Sequence, residues 1–156
     1  VSNVQITCND CGYRINDSDK IFYIENNPDK LVETSINFYP NILKYEIHGR
    51  VFTSYCSNCK SIVKLYIPEK YDKDLDDLFS LINDLSDKPS KVFTIENNPF
   101  MKTNEYGFFK EVYDKDSKIE CPKCNREIPI RISQLEHCPK CGSNALDKFI
   151  PCLFKD

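Results

Sequence analysis

The chain has 156 residues, a formal net charge of −3, no tryptophan, a sequence pI near 5.5 and a mean hydropathy of −0.50. This acidic balance argues against the basic stripe usual in nucleic-acid-binding domains, and apolar runs of only a few residues exclude a transmembrane helix. With no charged-then-apolar leader at the start, the expectation is a thin-cored cytoplasmic protein that does not meet the membrane.

In chain order, Val4 to Pro68 opens on a cysteine pair, passes through short alternating strand-like runs and closes on a second pair followed by the apolar run Ile62 to Ile67. The spacing predicts a mainly β segment. Lys20-Ile-Phe-Tyr-Ile reads as a strand ended by the turn signal Glu25-Asn-Asn-Pro28, because proline cannot continue a ladder and asparagine tolerates left-handed backbone. Gly49 is read as punctuation of the next strand pair.

From Asp72 to Leu85 the period changes, with Leu75, Leu78, Phe79, Ile82 and Leu85 on one helical face and Asp74, Asp76, Asp77 and Asp84 mainly elsewhere. This predicts an acidic amphipathic helix with Asp72 as N-cap and Ser86-Asp-Lys-Pro89 as its stop. Packing on its own domain is the plainer use of such a helix, and docking to a partner the sharper one. Lys91-Val-Phe-Thr-Ile-Glu-Asn-Asn-Pro99 then repeats Lys20 to Pro28 with seven identities in nine positions, which points to an internal duplication. The aromatic stretch Phe100, Tyr106, Phe108, Phe109 and Tyr113 reads as strand core, with a recognition patch as the alternative.

Nine cysteines in a reducing compartment favour metal binding or redox chemistry over disulfides. Eight fall into four Cys-x-x-Cys pairs, Cys8/Cys11, Cys56/Cys59, Cys121/Cys124 and Cys138/Cys141. That spacing lets a tight turn present two thiolates to one ion while backbone N–H groups offset the sulfur charge. Gly12, Asn125 and Gly142 directly follow a second cysteine and accept positive φ, whereas Lys60 is less accommodating. Four soft thiolates suit zinc, and iron fits the same spacing. The expected cofactors are therefore two Zn2+ ions.

Thirteen residues between Cys124 and Cys138 leave room for a short hairpin, a strong zinc-ribbon signal, and 44 residues between Cys11 and Cys56 imply a long β insertion in a first ribbon. Sequential pairing is expected, and a swapped arrangement joining Cys8/Cys11 to a C-terminal pair stays open on spacing alone. The fold class that follows is small α+β, mainly β with one or two helices, carrying two zinc-ribbon-like four-cysteine sites. Its divisions are a lobe at 1–70, an acidic helix and connector at 71–90, and a second β lobe with the C-terminal ribbon at 91–156. Cys152 lies outside the pattern and reads as a buried apolar residue. His137 abuts Cys138 but a full cysteine set makes it unnecessary as a ligand, and His48 is read as serving a strand surface. No nucleophile motif, Walker loop or dinucleotide fingerprint is present, so no enzyme class is implied.

Ile6-Thr-Cys-Asn-Asp-Cys11, Glu33-Thr-Ser-Ile-Asn37, Pro40-Asn-Ile-Leu43, His48-Gly-Arg-Val-Phe52 and Tyr55-Cys-Ser-Asn-Cys59 together resemble the CpXC domain family over roughly residues 5–72. That is a set of bacterial and archaeal proteins rich in Cys-Pro-x-Cys. The resemblance implies zinc ligation by Cys8, Cys11, Cys56 and Cys59 and no defined activity. Asn9 and Ser57 stand where the motif has proline, while Pro122 and Pro139 keep it in the C-terminal pairs. Proline is not a ligand, so ligation survives the departure. The expected role is a zinc-binding adaptor contacting another protein in a prokaryotic assembly. Nucleic-acid binding is the alternative, resting on six basic against four acidic residues from Lys118 to Phe149, and a thiol redox protein ranks below both.

Overall fold

The computed structural model describes residues 3–107, 109–114 and 116–149. Cys152 and Phe108 lie outside the described residues, as does the side chain of Phe109. The described chain is mainly β with one α-helix. Its strands are β1 (Asn3–Cys8), β2 (Arg14–Ser18), β3 (Lys20–Glu25), β4 (Lys30–Ser35), β5 (His48–Cys56), β6 (Ser61–Lys70), β7 (Ser90–Val92), β8 (Met101–Thr103), β9 (Phe109–Glu111), β10 (Lys118–Glu120), β11 (Glu127–Pro129) and β12 (Leu146–Phe149), and α1 spans Leu75–Leu85.

The largest sheet has the order β4-β3-β5-β6-β7, antiparallel except for the parallel β6–β7 pair. Alternation along β6 explains its continuous apolar run: Val63, Leu65 and Ile67 enter one core and Tyr66 the other, so the strand is buried on both faces. On the Tyr66 face lie Phe22, Ile24, Val51 and Val92, covered by Leu78 and Ile82 of α1. The helix therefore packs on its own sheet. Its N-cap is Asp74, whose side chain accepts the Asp77 N–H at 3.0 Å, and not Asp72. Asp72 faces Glu46 instead, and hydrogen bonding between the two carboxyls holds Asp72 below and Glu46 above the usual carboxylate range. Leu75, expected on the apolar face, stays exposed at the first turn.

The opposite face gathers Phe52, Phe100, Met101, Ile128 and Ile130 around the buried thiols of Cys56 and Cys121. Phe52 and Phe100 stack at 4.0 Å between ring centroids. Of the aromatic stretch read from the sequence, Phe100 is thus core, Tyr113 half-buried against it, and Tyr106 exposed. A smaller sheet of order β12-β1-β2 covers a third core of Ile6, Tyr55, Ile132 and Leu135.

Gly49 does not separate strands. It sits inside β5 at a bulge, where an added Cβ would lie 2.2 Å from the Ile67 carbonyl oxygen, so any side chain collides with β6 backbone. The two copies of the repeat also fold differently. Lys20 to Glu25 is a sheet strand between β4 and β5, whereas only Lys91 and Val92 of the second copy join the sheet, at its edge. The second copy's Asn98 then folds the chain over, donating to the carbonyls of Thr94 and Ile95 and accepting the N–H groups of Phe100 and Met101.

His48 is buried rather than on a strand surface, and neither ring nitrogen has a hydrogen-bond partner among the described residues. Burial, helped by Lys70, holds its pKa below the ordinary value. An unfolded chain takes up this proton near pH 6.5, while the folded chain takes it up only at lower pH. Protons bound to the unfolded state in excess mean that stability falls as pH drops below about 6.5. A urea midpoint measured at pH 7.5 and 5.5 is expected to fall more for the native chain than for His48→Leu, which lacks that proton.

Candidate metal centres

Three cysteine pairs sit at the tips of β-hairpins: Cys8/Cys11 between β1 and β2, Cys56/Cys59 between β5 and β6, and Cys121/Cys124 between β10 and β11. The fourth, Cys138/Cys141, leads into β12. One local rule builds three of these turns. The first cysteine's N–H donates to the carbonyl five residues on, as in Cys8 to Tyr13, Cys121 to Arg126 and Cys138 to Ser143, and its carbonyl accepts the N–H of the residue after the second cysteine. That last residue must turn left-handed. Gly12, Asn125 and Gly142 do so at φ 78°, 65° and 79°, and in the fourth turn Lys60 does so at 54°. Lysine carries a Cβ penalty there of about 1 kcal/mol, so Lys60→Gly is expected to raise the melting temperature of metal-loaded protein.

The turns aim backbone donors at sulfur. The Cys59 N–H approaches Cys56 Sγ at 3.4 Å, that of Lys123 approaches Cys121 Sγ at 3.4 Å, and that of Lys140 approaches Cys138 Sγ at 3.3 Å.

The pairs meet crosswise. Cys8 and Cys11 join Cys138 and Cys141, and Cys56 and Cys59 join Cys121 and Cys124, the ligand atoms of each group lying within 4.8 Å of one another. This corrects the sequential pairing expected from spacing. The segment after Cys124 does not fold back as a private hairpin, because β11 and the turn beyond it bury Ile128, Ile130, Ile132 and Leu135 and carry the chain from one core to another. Each site consequently takes one pair from either side of the 71–90 connector, and the Cys56/Cys59/Cys121/Cys124 site is nested inside the loop closed by the other. We call these the inner and outer sites.

Arg131 locks the crossing segment. Its guanidinium is buried and donates to Asp17 Oδ1 at 2.8 Å and Oδ2 at 3.2 Å, to Asp19 Oδ1 at 3.1 Å and to the Tyr113 hydroxyl at 3.1 Å. The guanidinium carbon also lies 5.3 Å from the centre of the Phe52 ring. Asp17 accepts the Ser133 N–H in addition. Composition and spacing gave no sign of this network, since a charged pair so far apart in sequence has no local signature. Around the outer site, the Asn9 side chain donates to Asp147, its N–H donates to the Ala145 carbonyl, and the Ser143 hydroxyl donates to Asp10.

Contact distances between sulfurs are 3.6 Å for Cys8–Cys141, Cys11–Cys138 and Cys56–Cys124, and 3.9 Å for Cys59–Cys121. A tetrahedral ZnS4 unit with bonds of about 2.3 Å has sulfur–sulfur edges of about 3.8 Å. The spacing thus fits four thiolates around one ion and is far too long for a disulfide. Burial pushes the Cys59 thiol up to about 12, while the Arg126 N–H draws Cys124 down to about 6. Neither His48 nor His137 belongs to either group.

Among the described residues no helix is long and apolar enough to cross a membrane. No protein-family model matches the chain, and no curated protein or solved structure shows significant similarity to it, so the CpXC resemblance rests on the quoted residues alone.

Proposed function

We propose that the chain is a zinc-scaffolded adaptor in which two structural ions organise surfaces that bind another protein. The observation that carries this reading is the pair of closed four-thiolate groups with tetrahedral spacing. Four protein ligands leave no open position for substrate or activated water, which is the pattern of structural and not catalytic zinc. Iron would fit the same tetrahedron, and zinc is favoured because a closed tetrathiolate site is its commonest structural setting.

The binding surface in this reading comprises the open sheet edges β4 and β12 and the acidic outer face of α1. The net charge of −3 favours a protein partner over nucleic acid. Elemental analysis of purified protein tests the scaffold. Two zinc ions per chain are expected, and less than one metal in protein that remains folded would sink the reading. Retention on DNA or RNA that weakens steeply with salt would promote the nucleic-acid alternative.

A further inference from the structure

The two sites are alike in ligands but not in setting. All four inner cysteines belong to the largest core: Cys56 and Cys121 are buried in it, and Cys59 and Cys124 pack against it. Among the described residues no outer cysteine belongs to any of the three hydrophobic clusters, and while Cys8 and Cys138 are buried, Cys11 and Cys141 are exposed. A cavity of about 440 Å³ lies between the Cys138/Cys141 turn and Ser57 and Lys60 of the Cys56/Cys59 turn. Of the eight paired cysteines, only Cys138 and Cys141 line it. Its lining mixes apolar side chains such as Tyr55, Ile128 and Leu135 with three lysines and three carboxylates.

We propose that the outer site is an oxidation site at which hydrogen peroxide, entering from solvent or this cavity, converts two zinc-bound thiolates to a disulfide and releases the ion, while the inner site holds its own. The proposal rests on the structural-metal reading above. In the first step an exposed thiolate, Cys11 or Cys141, attacks one peroxide oxygen, the O–O bond breaks, and a sulfenic acid forms with loss of hydroxide. The neighbouring thiolate at 3.6 Å, Cys138 for Cys11 or Cys8 for Cys141, then attacks the sulfenic sulfur, forms the S–S bond and expels a second hydroxide. Two electrons pass from sulfur to peroxide, and two solvent protons convert the hydroxides to water. The two remaining thiolates no longer complete a tetrahedron, so the ion leaves. Both disulfides would tie the β1–β2 knuckle to the segment before β12, so the junction survives in covalent form.

The test uses the full zinc-loaded chain and hydrogen peroxide, with released zinc followed by a chromogenic chelator and cysteines mapped by alkylation and peptide mass spectrometry. Expected is loss of one of the two ions ahead of the other, with a disulfide joining Cys11 to Cys138 or Cys8 to Cys141 and the inner cysteines unmodified. Simultaneous loss of both ions, earlier loss from the inner site, or no loss would overturn the proposal. Elemental analysis before peroxide separates the two failures, because a folded chain holding less than one metal at the start refutes the metal reading itself. Oxidation mapped to Cys56, Cys59, Cys121 or Cys124 in that chain would still overturn the site assignment.

Discussion

Replacing Cys121 by Ala is expected to leave the chain unable to reach its native fold at neutral pH, whereas replacing Cys141 by Ala should spare the five-stranded sheet. A structural zinc site contributes ~10 kcal/mol or more, while an ordinary domain is stable by only about 5–15 kcal/mol in total. Loss of one inner ligand removes most of that margin and also opens a gap in the core of Phe52, Leu65 and Phe100. Loss of an outer ligand frees only the β12-β1-β2 sheet and its smaller core. Near-ultraviolet circular dichroism of the nine tyrosines, with zinc stoichiometry alongside, reads both outcomes. Retained native signal in Cys121→Ala would show that the inner site is dispensable.

Asp17→Ala is expected to cost about 3–5 kcal/mol, because it strands the Arg131 guanidinium in a buried position with half of its partners gone. The Ser133 N–H loses its acceptor in the same step. Changing both residues to apolar ones, Asp17→Leu with Arg131→Met, should cost much less than the single change, since no fully buried charge is then left unpaired and Asp19, which also loses Arg131, is partly exposed. Denaturant titration of Asp17→Leu, Arg131→Met and the double variant gives the coupling directly. Equal losses in the single and double variants would mean that the pair contributes through packing alone.

The parts of this molecule that were legible in the sequence are those with a short-range signature. Cys-x-x-Cys spacing identified the eight cysteines now gathered in two groups, the change of period marked α1, and glycine or asparagine after the second cysteine marked three of the four left-handed turns. Lys60 shows that the turn is dictated by the knuckle and not by the residue that completes it. What escaped is long-range. Pairing by proximity in sequence failed because the short segment after Cys124 is apolar at Ile128, Ile130 and Ile132, and burying those side chains draws it across the molecule. The repeat shows the same limit: nearly identical residues take their structure from a strand inside the sheet in one copy and from a sheet edge in the other.

The nested crossing of the cysteine pairs sets a problem for biosynthesis. Cys8, Cys11, Cys56 and Cys59 leave the ribosome well before their true partners, and together they form a complete tetrathiolate set. Cys11 meets Cys56 across 45 residues but Cys138 across 127, and loop closure favours the nearer partner by only about 1 kcal/mol. That bias is small against the burial of the Cys56 and Cys121 core, so an early misligated ion is a trap that the folded state can outcompete once thiolates exchange on the metal. Zinc supplied during translation should therefore slow maturation, and zinc supplied after chain release should speed it.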